Sequence, residues 1–186
     1  MKRLSFIAGV VLCLTTIPVG SSSAADPESR SAAAAASLKS LMNRFQLGAI
    51  AAPDPQTPGR FVAAFYTPDS QLLVVNAPYS APRLLDKKIA AGEYMDVYAD
   101  LQSVADRKGH FFVIDMQADG LKREVNENEA FDSTSIEGAP LVSFDGKWEA
   151  QKLTEAAYNA RFDSDDAQYA RLLSVLSNAL ARKATE

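Results

Sequence analysis

The chain has 186 residues, 47% of them hydrophobic and 23% charged, which excludes a disordered or fibrous protein and suits one globular domain. A formal net charge of −4 without any lysine or arginine run argues against a nucleic-acid partner. The acidic balance is too mild to imply a cationic one.

Residues 1–25 read as an export signal. Lys2 and Arg3 precede an apolar run from Leu4 to Val19, and the small residues Ser21-Ser22-Ser23-Ala24-Ala25 follow. That order predicts a signal peptide cut after Ala25. A retained membrane anchor is the alternative, but Thr15, Thr16 and Pro18 interrupt a run already short for a span. The single cysteine, Cys13, lies inside this segment and lacks the small preceding residue of a lipid-attachment site. The mature chain would then carry no disulfide, thiol nucleophile or thiolate metal ligand. It is expected to be exported, periplasmic or secreted, with no membrane span once the signal is removed.

Residues 26–36 are predicted as a flexible lead-in, and residues 37–183 as one domain. Leu38, Leu41, Met42 and Phe45 recur at helical spacing, which predicts a helix ending near Gly48. Leu47–Ala52 reads as a strand, and the prolines of Pro53–Gly59 as a turn cluster. Phe61–Thr67 and Gln71–Asn76 form a hairpin across Pro68-Asp69-Ser70. Its strands are apolar on both faces, so both faces must be covered. After Ala77–Pro82 a helix is predicted, with Leu85 and Ile89 on its buried side and Gly92 as its stop. Glu93–Leu101 alternates as a strand, Asp106–Gly109 turns, and His110–Met116 returns as a strand.

Asp119–Gly138 reads mainly as loop. Leu141–Phe144 and Lys147–Glu149, joined by Asp145-Gly146, predict a tight hairpin. Thr154 caps a helix with Leu153 and Tyr158 as a staple. Asp163–Asp166 crowd a second helix start, followed by the stripe Tyr169, Leu172, Leu173, Leu176 and Leu180. That stripe should cover an open barrel end or pack on Leu38–Phe45. The fold class is α+β: an antiparallel split-barrel-like or strongly curved sheet of about six strands, flanked by N- and C-terminal helices.

Chemistry is sparse. The one histidine, His110, has no serine or cysteine in a nucleophile context, so no triad and no histidine-based zinc site can be argued. Asp163-x-Asp165-Asp166 lacks the glycine and distal glutamate of a calcium loop and reads as helix capping. Neither a catalytic residue nor a metal ligand is assigned. The row Tyr94, Asp96, Tyr98 and Asp100 is a candidate ligand or partner face, or else a solvated strand face. Glycines stand singly at element ends, without a phosphate loop.

From Leu38 to Met116 the chain resembles the FMN-binding split barrel of the pyridoxamine-phosphate-oxidase type. The likeness rests on a helix entering LGAIAAPD, a turn ending in Gly59-Arg60, and RFVAAFYTPDSQLLVVNAPYS. It implies FMN as a cofactor, its phosphate held by Ser80 and Arg83, with Arg60 a further candidate. Three readings follow: an exported non-catalytic module for a small molecule or partner protein, a split-barrel flavoprotein, and a self-assembling envelope protein. The last would be a homodimer burying Tyr94 and Tyr98.

Overall fold

The computed structural model describes residues 29–66, 71–78, 89–90, 110–123, 131–136 and 139–183. The expected signal peptide, the Pro68-Asp69-Ser70 turn and the Glu93–Leu101 strand lie outside them. The elements in order are α1 (Ala32–Arg44), β1 (Leu47–Pro53), β2 (Arg60–Tyr66), β3 (Leu72–Pro78), β4 (Ile89–Ala90), β5 (Phe111–Asp115), β6 (Ser133–Ile136), β7 (Val142–Ser143) and α2 (Glu155–Lys183). One antiparallel sheet runs β4-β1-β2-β3-β5-β6-β7. Its edges β4 and β7 are not paired with each other, so the sheet is open. A helix from each end of the described chain flanks it, and the α+β class stands.

The central hairpin sets the layers. Phe61 pairs with Ala77, Ala63 with Val75 and Phe65 with Leu73, while the alternate pairs Val62–Asn76, Ala64–Val74 and Tyr66–Leu72 project to the other face. The first row joins Ala49 and Phe112 in one buried cluster. The second joins Ile50 and Val113 with Leu38 and Met42 of α1 and with Leu172, Leu173 and Leu176 of α2. Phe61, Phe65, Val62 and Val74 are all fully buried, so both faces are covered, as strands apolar on both sides require. The Tyr169–Leu180 stripe shares its core with α1 and with the helix-facing side of the sheet.

Several local expectations are corrected. Helix α1 begins at Ala32, inside the segment expected to be a flexible lead-in, because Ala32 and Ala35 face the core and Ser31 is held by Asp166. Ile89–Ala90 pairs with β1 as a short strand, so the helix expected through Ile89 cannot extend that far. Ser133–Ile136 is a strand within the stretch expected to be loop; its polar serines and threonine hide it from a hydrophobicity pattern.

The Asp145-Gly146 hairpin does not form. Val142 and Ser143 pair with β6 instead, and the Gln151 side chain takes the place of a strand partner, bonding both the Ser143 amide and its carbonyl. Nor does a helix start at Asp163. Helix α2 runs unbroken from Glu155, capped by Thr154 Oγ1, which accepts the Ala157 amide at 3.2 Å. Asp165 and Asp166 are satisfied sideways, Asp165 by Thr134 and Arg161, Asp166 by Ser31 and the Arg30 amide.

One glycine is indispensable. At Gly120 φ is +95°, and a Cβ would lie 2.5 Å from the Ala32 amide nitrogen and 2.6 Å from its Cα. Gly120→Ala is therefore expected to cost roughly 2–3 kcal/mol, lowering the melting temperature by at least ~5 °C. Gly59→Ala, also at positive φ but with nothing within 4 Å, should cost only about 1 kcal/mol. Equal melting temperatures for the two variants would contradict this packing.

Candidate functional site

Three polar residues stand where the apolar rows of β1, β2 and β3 end. Asp54 follows β1, Arg60 opens β2, and Asn76 sits near the end of β3, all on the helix-facing side. Asn76 Nδ2 donates to Asp54 Oδ2 at 3.0 Å and to the Phe61 carbonyl at 3.2 Å. Arg60 Nε donates to Asn76 Oδ1 at 2.7 Å, and another of its guanidinium nitrogens to the Asn76 carbonyl at 2.8 Å. Arg171 closes the network from α2 with paired bonds of 2.8 and 3.0 Å to the two Asp54 oxygens.

This pair is buried on the carboxylate side and partly open on the guanidinium side: Asp54's side chain is 0% exposed and Arg171's 22%. Burial alone would push the Asp54 carboxyl up. The Arg171 guanidinium, the Gln56 amide and the Asn76 amide outweigh it and hold the group below its ordinary value.

Beside this network lies a groove of about 370 Å³, within the size range of small-molecule sites. Its apolar walls are Ala52, Pro53 and Pro55 on one side and Val175 and Ala179 on the other. Gln56, Arg171, Ser174, Asn178 and Arg182 supply the polar atoms. The helical residues recur three or four apart, a stripe beside the core stripe of Tyr169, Leu172, Leu173 and Leu176. The only charged residues among the described lining are the two arginines, roughly 16 Å apart along α2 at 1.5 Å per residue. The groove can therefore hold a small apolar body, with the guanidinium of Arg171, paired on its inner side with Asp54, in its wall.

Of the residues singled out from sequence, Arg60 is described, and its guanidinium is turned onto Asn76. Ser80, Arg83, Tyr94, Asp96 and Tyr98 lie outside the described residues. His110 Nε2 lies 3.3 Å from Ser135 Oγ on the neighbouring strand. Among the described residues no His, Cys, Asp and Glu group is arranged to hold a metal, and no helix is long and apolar enough to cross a membrane.

Sequence reasoning missed Asp54, Arg171 and the groove. A signal was present in Asn76, the one polar residue ending the apolar run LLVVN: a buried amide needs partners. Comparison of the chain with family models, with curated proteins and with solved structures returned no match.

Proposed function

We propose that this protein is an exported, non-catalytic binding module whose groove takes a small organic anion with a short apolar body, such as a medium-chain carboxylate. The observation that carries the reading is the groove itself: apolar walls, two arginines and three neutral polar side chains at its rim. Asp54 fixes Arg171 in place and balances its charge, so a ligand would meet a preorganised guanidinium whose outward edge can still donate hydrogen bonds. Arg182, exposed near the end of α2, adds a second. The described carboxylates that are buried are committed to amides, hydroxyls or arginines, and no acid–base pair stands among the described residues that line the groove.

The test is calorimetric titration of the purified protein with octanoate and, as a charge control, octylamine. Octanoate is expected to bind and octylamine not. Val175→Trp, which fills the groove, should abolish octanoate binding, and Arg182→Ala should weaken it several-fold, about 1 kcal/mol. Equal binding of both probes, or octanoate binding untouched by Val175→Trp, would remove the proposal. Retention of FMN through dialysis without octanoate binding would replace it with the split-barrel flavoprotein.

A further inference from the structure

Midway along α2, two buried carboxylates hold one loop. The loop leaves β5 at Met116 and runs to Lys122. Asp132, just before β6, accepts its first and last amides, Met116 N at Oδ1 and Lys122 N at Oδ2, both at 2.8 Å. Asp115, the last residue of β5, accepts the middle ones: Asp119 N at 3.1 Å and Gly120 N at 2.9 Å. Tyr169 of α2 donates its hydroxyl to Asp115 Oδ2 at 3.0 Å. The side chains are sealed, with Asp115 0% and Asp132 1% exposed.

The loop is also the clasp between the two helices. Leu121 N donates to Ser31 Oγ at 2.8 Å, and Ser31 Oγ donates to Asp166 Oδ1 of α2 at 2.6 Å. Gly120 lies against the Ala32 backbone at the start of α1. Among the described residues, the charged and titratable groups on the surrounding elements are Lys39 on α1, whose Nζ donates to the Gln117 carbonyl of the loop at 3.2 Å, Asp119 and Lys122 on the loop, Arg123 just after it, and Tyr169, Arg161, Asp163, Asp165 and Asp166 on α2. Lys122 pairs with Asp119 and Arg123 with Asp163 at the surface. Asp165 is taken up by Arg161 and Thr134, and Asp166 by Ser31 and the Arg30 amide. The described donors to Asp115 and Asp132 are thus four neutral amides and one phenol, which satisfy lone pairs without cancelling two like charges.

We propose that Asp115 and Asp132 form an acid-locked latch. One proton held on Asp132 keeps the loop clamped to α1 and α2, and its loss as pH rises leaves two buried negative charges that loosen the clasp. Burial, followed by the charge of Asp115, pushes the Asp132 carboxyl up to about 7, and burial raises Asp115 as well. A group raised above its unfolded value of 3.8 contributes stability that is complete below that value. This contribution is lost as pH rises through about 7. The latch is therefore tight in mild acid and slack in mild alkali.

The test follows the Asp132 side-chain carboxyl by carbon NMR in the full protein while amide exchange is recorded at Met116, Leu121 and Lys122. A carboxyl midpoint near neutrality is expected, with protection of the three amides falling about tenfold or more between roughly pH 5.5 and pH 8, beyond the intrinsic acceleration. The melting temperature should fall over the same interval, and Asp132→Asn, which cannot ionise, should flatten that fall. A midpoint in the ordinary carboxylate range, or protection independent of pH, overturns the latch. Both readouts come from the unmutated protein, so a variant that fails to fold leaves the test intact.

Discussion

Arg171→Ala is expected to lower the stability of the protein by about 3–5 kcal/mol. The physical reason is what it leaves behind. Asp54 is fully buried, and without the bidentate guanidinium the Gln56 amide and the Asn76 amide are the donors among the described residues that remain to hold its charge. For a domain of this length that loss reads as roughly a 10 °C drop in melting temperature. Arg171→Lys should recover only part of it, since an ammonium cannot reproduce two parallel bonds. Adding Asp54→Asn to Arg171→Ala should restore some stability by removing the stranded charge. A melting temperature for Arg171→Ala close to that of the parent would contradict the assignment.

The pair also fixes a pH dependence of known sign. Asp54 is held below its ordinary value, so its stabilising contribution is present above the unfolded carboxylate range and is lost as pH falls through the lower, folded value. Arg171→Ala should remove this acid-side contribution. The Asp132 contribution runs oppositely, being lost on the alkaline side. Stability should therefore peak in mild acid.

Leu173→Asp should be more damaging still. Leu173 is fully buried in the cluster that joins α1, α2 and the helix-facing rows of the sheet. An aspartate there would sit among the apolar side chains of that cluster, and an unpaired buried charge costs more than about 4 kcal/mol, a large part of the roughly 5–15 kcal/mol that holds a domain folded. Circular dichroism should show an unfolded chain, or a melting temperature lowered by ~10 °C or more. An unchanged melting curve would mean that α2 does not pack where the cluster places it.

What the sequence disclosed followed from how the residues are patterned. The two-faced apolar strands around Phe61–Phe65 and Leu72–Val75 demanded cover on both sides, and the period-2 rows placed each side chain on its observed face. The Leu38–Met42 and Tyr169–Leu180 stripes were legible for the same reason at the helical period. Ser133–Ile136 was hidden because a strand of serines and threonine carries no apolar alternation; its pairing is imposed by β5. Asp163–Asp166 misled because acidic residues favour helix starts, whereas here two of them face Thr134 and Ser31 across tertiary contacts. The groove was illegible because Pro53–Pro55 and Arg171–Arg182 lie more than a hundred residues apart, and only folding brings them together.

The most direct measurement is amide chemical-shift mapping of the purified protein as octanoate is added. Saturable shifts are expected at Gln56, Ser174, Val175 and Asn178, with the β5–β6 end of the sheet unmoved. Shifts spread over both ends, or none at millimolar octanoate, would contradict a ligand groove between the β1–β2 turn and α2.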